Sequence, residues 1–188
     1  MPYENYWVDA NILIVAGDFF GISTGLCGGW KKVKFAFNHT VDNTFFRTDP
    51  VKYLRNVAKL YSLRSYFGLL TSVQMDKLSI KCSEEVTAFV TAGVKNPNEK
   101  IGTINIIAVL DCRISRSAML NAIITATEAK TKALIESGYK FTGTNTDAVV
   151  LLCTQKGRYC RYAGPASDLG RHIWKAVSRA VKESLNKW

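Results

Sequence analysis

The stretch Gly102-Thr-Ile-Asn-Ile-Ile-Ala-Val-Leu110 decides the fold. Its apolar and β-branched residues run on without helical spacing, which is most simply the pattern of a central strand. Downstream, Arg116 to Ser137 predicts a long helix, with Ser115 or Ser117 as its cap and Gly138 just beyond its end, where a left-handed residue closes the last turn. Ala148 to Cys153 predicts a fully apolar strand. Leu169, Ile173, Val177, Val181, Leu185 and Trp188 then make one stripe of a C-terminal amphipathic helix, capped by Ser167 or Asp168.

Upstream, Asn11 to Ala16 reads as a buried strand closed by Gly17, and the glycine-bearing stretch from Gly21 to Gly29 suits tight turns. Lys34 to Asn38 alternates as a second strand. Asp49-Pro50 supplies an N-cap and a first-turn proline for a helix from about Pro50 to Leu63. Tyr66 to Thr71 and Glu85 to Ala92 are further strands, and Lys95 to Lys100, with its proline and paired asparagines, is a turn or exposed loop. Six or so strands and three helices, not in strict alternation, predict one domain over residues 1–188. Its class is α+β, loosely α/β, with a mixed sheet flanked by helices.

Composition narrows the class of function. The 188 residues are 47% apolar and 21% charged, ordinary values for a globular chain. Five scattered cysteines, without a C-x-x-C pair or a His-rich cluster, argue against a disulfide framework and a structural zinc site. No basic leader precedes the first strand, and no apolar run reaches the ~20 residues that span a bilayer. These features predict a cytoplasmic protein without membrane insertion. The net charge of +10 is uneven: Gln155 to Trp188 holds eight basic residues against Asp168 and Glu183. Without a recognition helix or an RNA-binding signature, that charge predicts a solvated helix face and no specific nucleic-acid partner.

Three polar stretches interrupt the apolar periodicity. Thr91 and Gly93 stand at the end of one strand, and Thr103 and Asn105 lie inside another, where a buried amide is costly unless both its sides are satisfied. Asn105 is therefore locked to backbone or presented to a ligand. In the long helix, Thr127 and Thr131 share a face with Glu128 and Lys130 beside them. Glu128 also stands four residues before Lys132, the favourable order for a surface ion pair. In Phe141-Thr-Gly-Thr-Asn-Thr-Asp-Ala-Val-Val150 the hydroxyls of Thr142, Thr144 and Thr146 alternate onto one predicted face, and Asp147 guards the start of an apolar strand.

Taken in order, Val90-Thr-Ala-Gly-Val94, Asn96-Pro97, Gly102-Thr-Ile-Asn-Ile-Ile107, Thr127-Glu-Ala-Lys-Thr131 and Thr142-Gly-Thr-Asn-Thr-Asp-Ala-Val-Val150 form a set that resembles the adenosylcobinamide amidohydrolase family. Ala163-Gly-Pro165 and Leu169-Gly-Arg171 extend it, and Asn38-His39 and Gly68-Leu-Leu-Thr71 are weaker upstream blocks. The resemblance implies hydrolysis of the amide between the corrin propionyl arm and aminopropanol, with the corrinoid as substrate and no further cofactor or metal. The competing expectation is a corrinoid-binding or carrier protein without turnover.

The sequence has no G-x-S-x-G elbow and no H-E-x-x-H motif. Asp147, Glu128 and His39 are the candidate catalytic residues, with His172 read as a helix-flank residue. Thr91, Asn96, Thr103, Asn105, Thr127, Lys130, Thr142, Thr144 and Thr146 are the candidate substrate-binding residues. Of the carboxylates, Asp147 is expected to be partly desolvated and to act as the base, and Glu128 to sit among lysines. Oligomeric state is not legible in the sequence.

Overall fold

A computed structural model describes residues 2–42, 44–94 and 102–188. The expected single mixed sheet flanked by three helices is present. Strands β1 (Tyr6–Asp9), β2 (Ile12–Ser23), β3 (Gly29–Thr40), β4 (Tyr66–Thr71), β5 (Ser79–Ser83), β6 (Val86–Val94), β7 (Gly102–Leu110) and β9 (Ala148–Cys153) form one sheet. Its order is β4-β3-β2-β9-β7-β6-β5, with β1 paired to β2. A two-stranded patch joins β8 (Arg113–Ile114) to β10 (Tyr159–Cys160). The helices are α1 (Pro50–Leu60), α2 (Arg116–Glu136) and α3 (Asp168–Leu185).

The sheet folds back over itself. One buried cluster joins Leu13, Val15, Phe19, Val33 and Leu69 from the β2–β4 half to Phe89, Ile107, Val109, Val150 and Leu152 from the β6–β7–β9 half. Strand alternation sends the remaining residues outward. Ala88, Val90, Ile104, Ile106 and Leu151 pack under α2 and α3, and Ile12, Ile14 and Phe37 pack under Tyr53, Leu54, Val57 and Ala58 of α1. The chain is thus layered as helix, half-sheet, half-sheet, helix pair.

The caps follow the local chemistry. Asp49 accepts from the Lys52 amide at 2.8 Å, Ser115 rather than Ser117 caps α2, and Ser167 rather than Asp168 caps α3. Gly138 lies past α2 at φ +89°, the left-handed conformation expected there.

The first strand is longer than its apolar core suggests. Gly17 does not end it: β2 runs on through Gly17 and Gly21 to Ser23, with a register shift between Ala16 and Phe19. Gly21 serves close approach rather than a turn, because a Cβ there would lie 2.8 Å from the Leu151 carbonyl oxygen. Strands β1, β5, β8 and β10, none longer than five residues, carry too few periods to stand out in the sequence. Trp188 lies beyond α3 and donates from its ring nitrogen to the Ala92 carbonyl at 2.9 Å.

Candidate active site

At the end of the sandwich where β7 and β9 begin, its interior turns polar. Asn38, Thr91, Thr103 and Asn105 point inward from β3, β6 and β7, each at most 4% exposed. They satisfy one another, as buried amides require. Asn105 Nδ2 donates to Asn38 Oδ1 at 2.9 Å and to the Leu70 carbonyl at 2.8 Å. Asn38 Nδ2 donates to Thr91 Oγ1 at 2.8 Å, and Thr103 Oγ1 donates to the Thr146 carbonyl at 3.2 Å. Asn105 is therefore locked, and the chain of amides welds the two half-sheets together.

The second group is built around Asp147. Its Oδ1 accepts from the Ile104 amide at 2.9 Å and from Thr144 Oγ1 at 2.6 Å. Its Oδ2 accepts from the Thr144 amide at 3.1 Å and from Lys130 Nζ at 2.5 Å. Lys130 reaches it from α2, and the two side chains are 9% and 11% exposed. Gly143 leaves room for this pair, since a Cβ there would collide with both Lys130 Nζ and Asp147 Oδ2. Asp147 is thus a largely desolvated carboxylate with four hydrogen-bond partners, and Lys130, set beside Glu128 by helical spacing, is one of them.

Between these groups opens a cleft of about 440 Å³. Leu26, Val41, Phe45, Phe46, Leu69 and Leu70 give it apolar walls, and Thr71, Thr103, Asn105, Asn145, Thr146 and Asp147 give it a polar floor. That combination and size suit an organic ligand.

Residues 18–188 match the model of the adenosylcobinamide amidohydrolase family. The chain belongs to this family. It is 42% identical to an adenosylcobinamide amidohydrolase of Methanosarcina mazei over 96% of each chain. It is also 28% identical to one of Halobacterium salinarum, over 88% of this chain and 79% of that one. An uncharacterised protein of Methanocaldococcus jannaschii is 32% identical over 85% of this chain and 79% of its own length. Family membership makes the chain an amidohydrolase, an enzyme of the hydrolase class.

Within this amidohydrolase, Thr91, Thr103, Asn105, Lys130, Thr144, Thr146 and Asp147 come together at or just behind the cleft floor. Residues 141–147 form a loop rather than the start of a strand, so the threonine hydroxyls do not share a face. Thr144 turns to Asp147, Thr146 Oγ1 donates to the Gly102 carbonyl at 3.3 Å, and Thr142 contributes its carbonyl to Thr131 Oγ1 at 3.1 Å. Thr127 bonds back to the Ile123 carbonyl at 2.8 Å, and Glu128 beside it is exposed on α2, away from the cleft lining. The expected Glu128–Lys132 pair does not form, because Lys132 pairs with Glu136 at 3.5 Å. Asn96 lies outside the described residues.

His39 points from β3 to the side opposite Asn38. It lies 5.9 Å from the Tyr53 ring, is 8% exposed, and its Nδ1 is buried without a hydrogen-bond partner among the described residues. Burial lowers its pKa below the ordinary imidazole value, and the nearby Asp42 carboxylate only partly offsets this. It is not part of the cleft lining. His172, the other imidazole, accepts or donates at Nδ1 with Ser83 Oγ at 3.1 Å on the far flank of α3.

Asn38 as a network member, and Thr24, Gly25, Phe45 and Phe46 as cleft residues, are additions that the fold makes. Asn38 carried a faint signal as a polar residue in an apolar alternating strand. The others are ordinary loop or apolar residues with none. Among the described residues no cluster of three or more His, Cys, Asp or Glu is placed to hold a metal.

Proposed function

We propose that this enzyme hydrolyses the amide joining the corrin propionyl arm to aminopropanol in adenosylcobinamide, giving adenosylcobyric acid and aminopropanol for salvage of the corrinoid. The observation that carries the reading is the cleft: apolar walls around a floor of neutral hydroxyls and amides beside one anchored carboxylate. A cleft of this size takes the arm that carries the scissile amide, with the ring held across the mouth against Phe45.

In this reading Asp147 remains the proton acceptor and works through Thr144. As water attacks the carbonyl carbon, its proton passes to Thr144 Oγ1 while Thr144 passes its own to Asp147 Oδ1. The proton then returns to the leaving amine as the C–N bond breaks. Thr71 and Asn145 supply donors for the oxyanion, while Thr103 and Thr146, whose hydroxyls donate to the Thr146 and Gly102 carbonyls, shape the floor beneath it. Thr91, Asn38 and Asn105 hold the floor, and His39, Glu128, Thr127 and Thr142 act at a distance from the reacting amide. We place the reaction in the cytoplasm, a reading supported by five cysteines that are all free thiols.

Incubation with adenosylcobinamide tests the reaction, with expected release of adenosylcobyric acid and free aminopropanol. A protein that shows a bound-corrinoid spectrum yet forms no acid would be a carrier, and the reading would fail. Thr144→Ser should keep most of the turnover and Thr144→Val should lose about 10²-fold or more if the hydroxyl relays the proton. Equal activity in the two variants would remove the relay.

A further inference from the structure

The two most exposed large apolar side chains among the described residues belong to one segment: Leu60 is 77% exposed and Phe46 67%. The same segment carries Arg47, Lys52, Arg55, Lys59 and Arg64 against a single acid, Asp49, whose carboxylate is engaged in capping α1. All five cations are exposed, and none is in an ion pair among the described residues. Elsewhere many cations are answered, as in Lys182 with Glu136, Arg158 with Glu85 and Arg171 with Asp168.

The pattern follows the helix. Tyr53, Leu54, Val57 and Ala58 are buried against the sheet, while Lys52, Arg55, Lys59 and Leu60 face outward. Phe45, Phe46 and Pro50, at the start of the segment, also form a wall of the cleft. The outward face is therefore both cationic and apolar, and it borders the cleft mouth.

We propose that this face of α1 docks on an anionic lipid bilayer, with the helix lying along the surface and the cleft mouth beside it. Unpaired lysines and arginines attract anionic headgroups, and Leu60 and Phe46 gain by entering the acyl boundary. A nucleic-acid backbone would take the cations but would leave Leu60 nothing to bury. The attachment is peripheral: no helix of the described residues is long and apolar enough to cross a membrane. It stands on the α1 surface and does not depend on which amide the enzyme cleaves.

Co-sedimentation with vesicles tests it. The protein should bind vesicles of mixed phosphatidylglycerol and phosphatidylcholine and not those of phosphatidylcholine alone. Losing a cation near the surface weakens such binding about fivefold, so Lys52→Gln/Arg55→Gln/Lys59→Gln should weaken it on the order of 100-fold. Leu60→Ser should lower the part of the binding that survives high salt. Lys52→Arg/Lys59→Arg should retain binding, and Lys175→Gln/Arg179→Gln on α3 should change it less than twofold, with thermal melts showing every variant folded. No binding to anionic vesicles, equal binding to neutral ones, an equal loss in the α3 variant, or tighter binding to duplex DNA than to vesicles would each overturn the proposal.

Discussion

Strands β7 and β9 lie side by side and parallel, yet their two ends carry different chemistry. Where they begin, Lys130 and Asp147 form an ion pair with side chains 9% and 11% exposed, tied into a hydrogen-bonded loop. Beyond the end of β7, Arg158 pairs with Glu85 at 2.6 Å, and there only the carboxylate, 16% exposed, is shielded, while the arginine is 57% exposed. Two pairs of similar length thus sit in different dielectric surroundings. Removing one partner of a buried pair strands a charge that water cannot reach, whereas removing Glu85 hands the exposed Arg158 back to solvent. The buried pair is the one that borders the cleft.

The largest test of this contrast is Asp147→Asn. It should lower kcat by about 10²- to 10⁴-fold, as the loss of a proton acceptor does. It should also destabilise the fold by about 3 to 5 kcal/mol, because the Lys130 ammonium is left buried beside an amide. Adding Lys130→Met should recover much of the stability without the activity. Urea melts of the single and double variants, set beside their turnover, separate the two effects. A double variant that regains turnover would show that the carboxylate takes no part in proton transfer.

A smaller effect concerns His39, whose ring is buried between the sheet and α1. Its folded pKa lies below the unfolded value of ~6.5, so the unfolded chain binds more protons in the window beneath that pH. The stabilisation is whole above about pH 6.5 and is lost as pH falls through the folded value. Denaturation midpoints should therefore drop on acidification in the wild type and drop less steeply in His39→Leu. An unchanged slope in the variant would assign the acid sensitivity to other groups. At the small end, Glu85→Gln, which leaves unpaired only the solvent-exposed Arg158, should change stability by no more than about 1 kcal/mol and leave turnover unchanged. A loss comparable to that of Asp147→Asn would erase the distinction between the two ends.

The legible parts of the site were those where one residue conflicts with its own neighbourhood. Asn105 stands out because an amide inside an apolar strand needs partners, but nothing local shows that Asn38, 67 positions away, supplies one of them. Lys130 and Asp147 were both visible as charges. The sequence set Lys130 beside Glu128 because helical spacing was the only geometry at hand, while the fold turns it inward. The alternating threonines suggested a strand face, yet Asp147 draws Thr144 into a loop by bonding its hydroxyl and its amide together. In the fold, the apolar runs of β7 and β9 were plain. The extension of β2 was not, because glycines that usually end strands here allow a close approach and a bulge.

The position of β9 has a consequence for how the molecule comes into being. This late strand is inserted between β2 and β7, so among the described residues it alone joins the two halves of the sheet by strand pairing, and its Val149 amide bonds Thr24 across 125 residues. Contacts so far apart in the chain close slowly, since the loop between them loses its freedom before the pairing rewards it. During synthesis the β2–β3–β4 and β5–β6–β7 segments emerge early, and each exposes a strand edge until β9 arrives. The amide bridge from Asn38 to Asn105 spans those same segments, so the cleft floor should be assembled in the step that completes the sheet, and gain of activity during refolding should track final closure rather than early collapse.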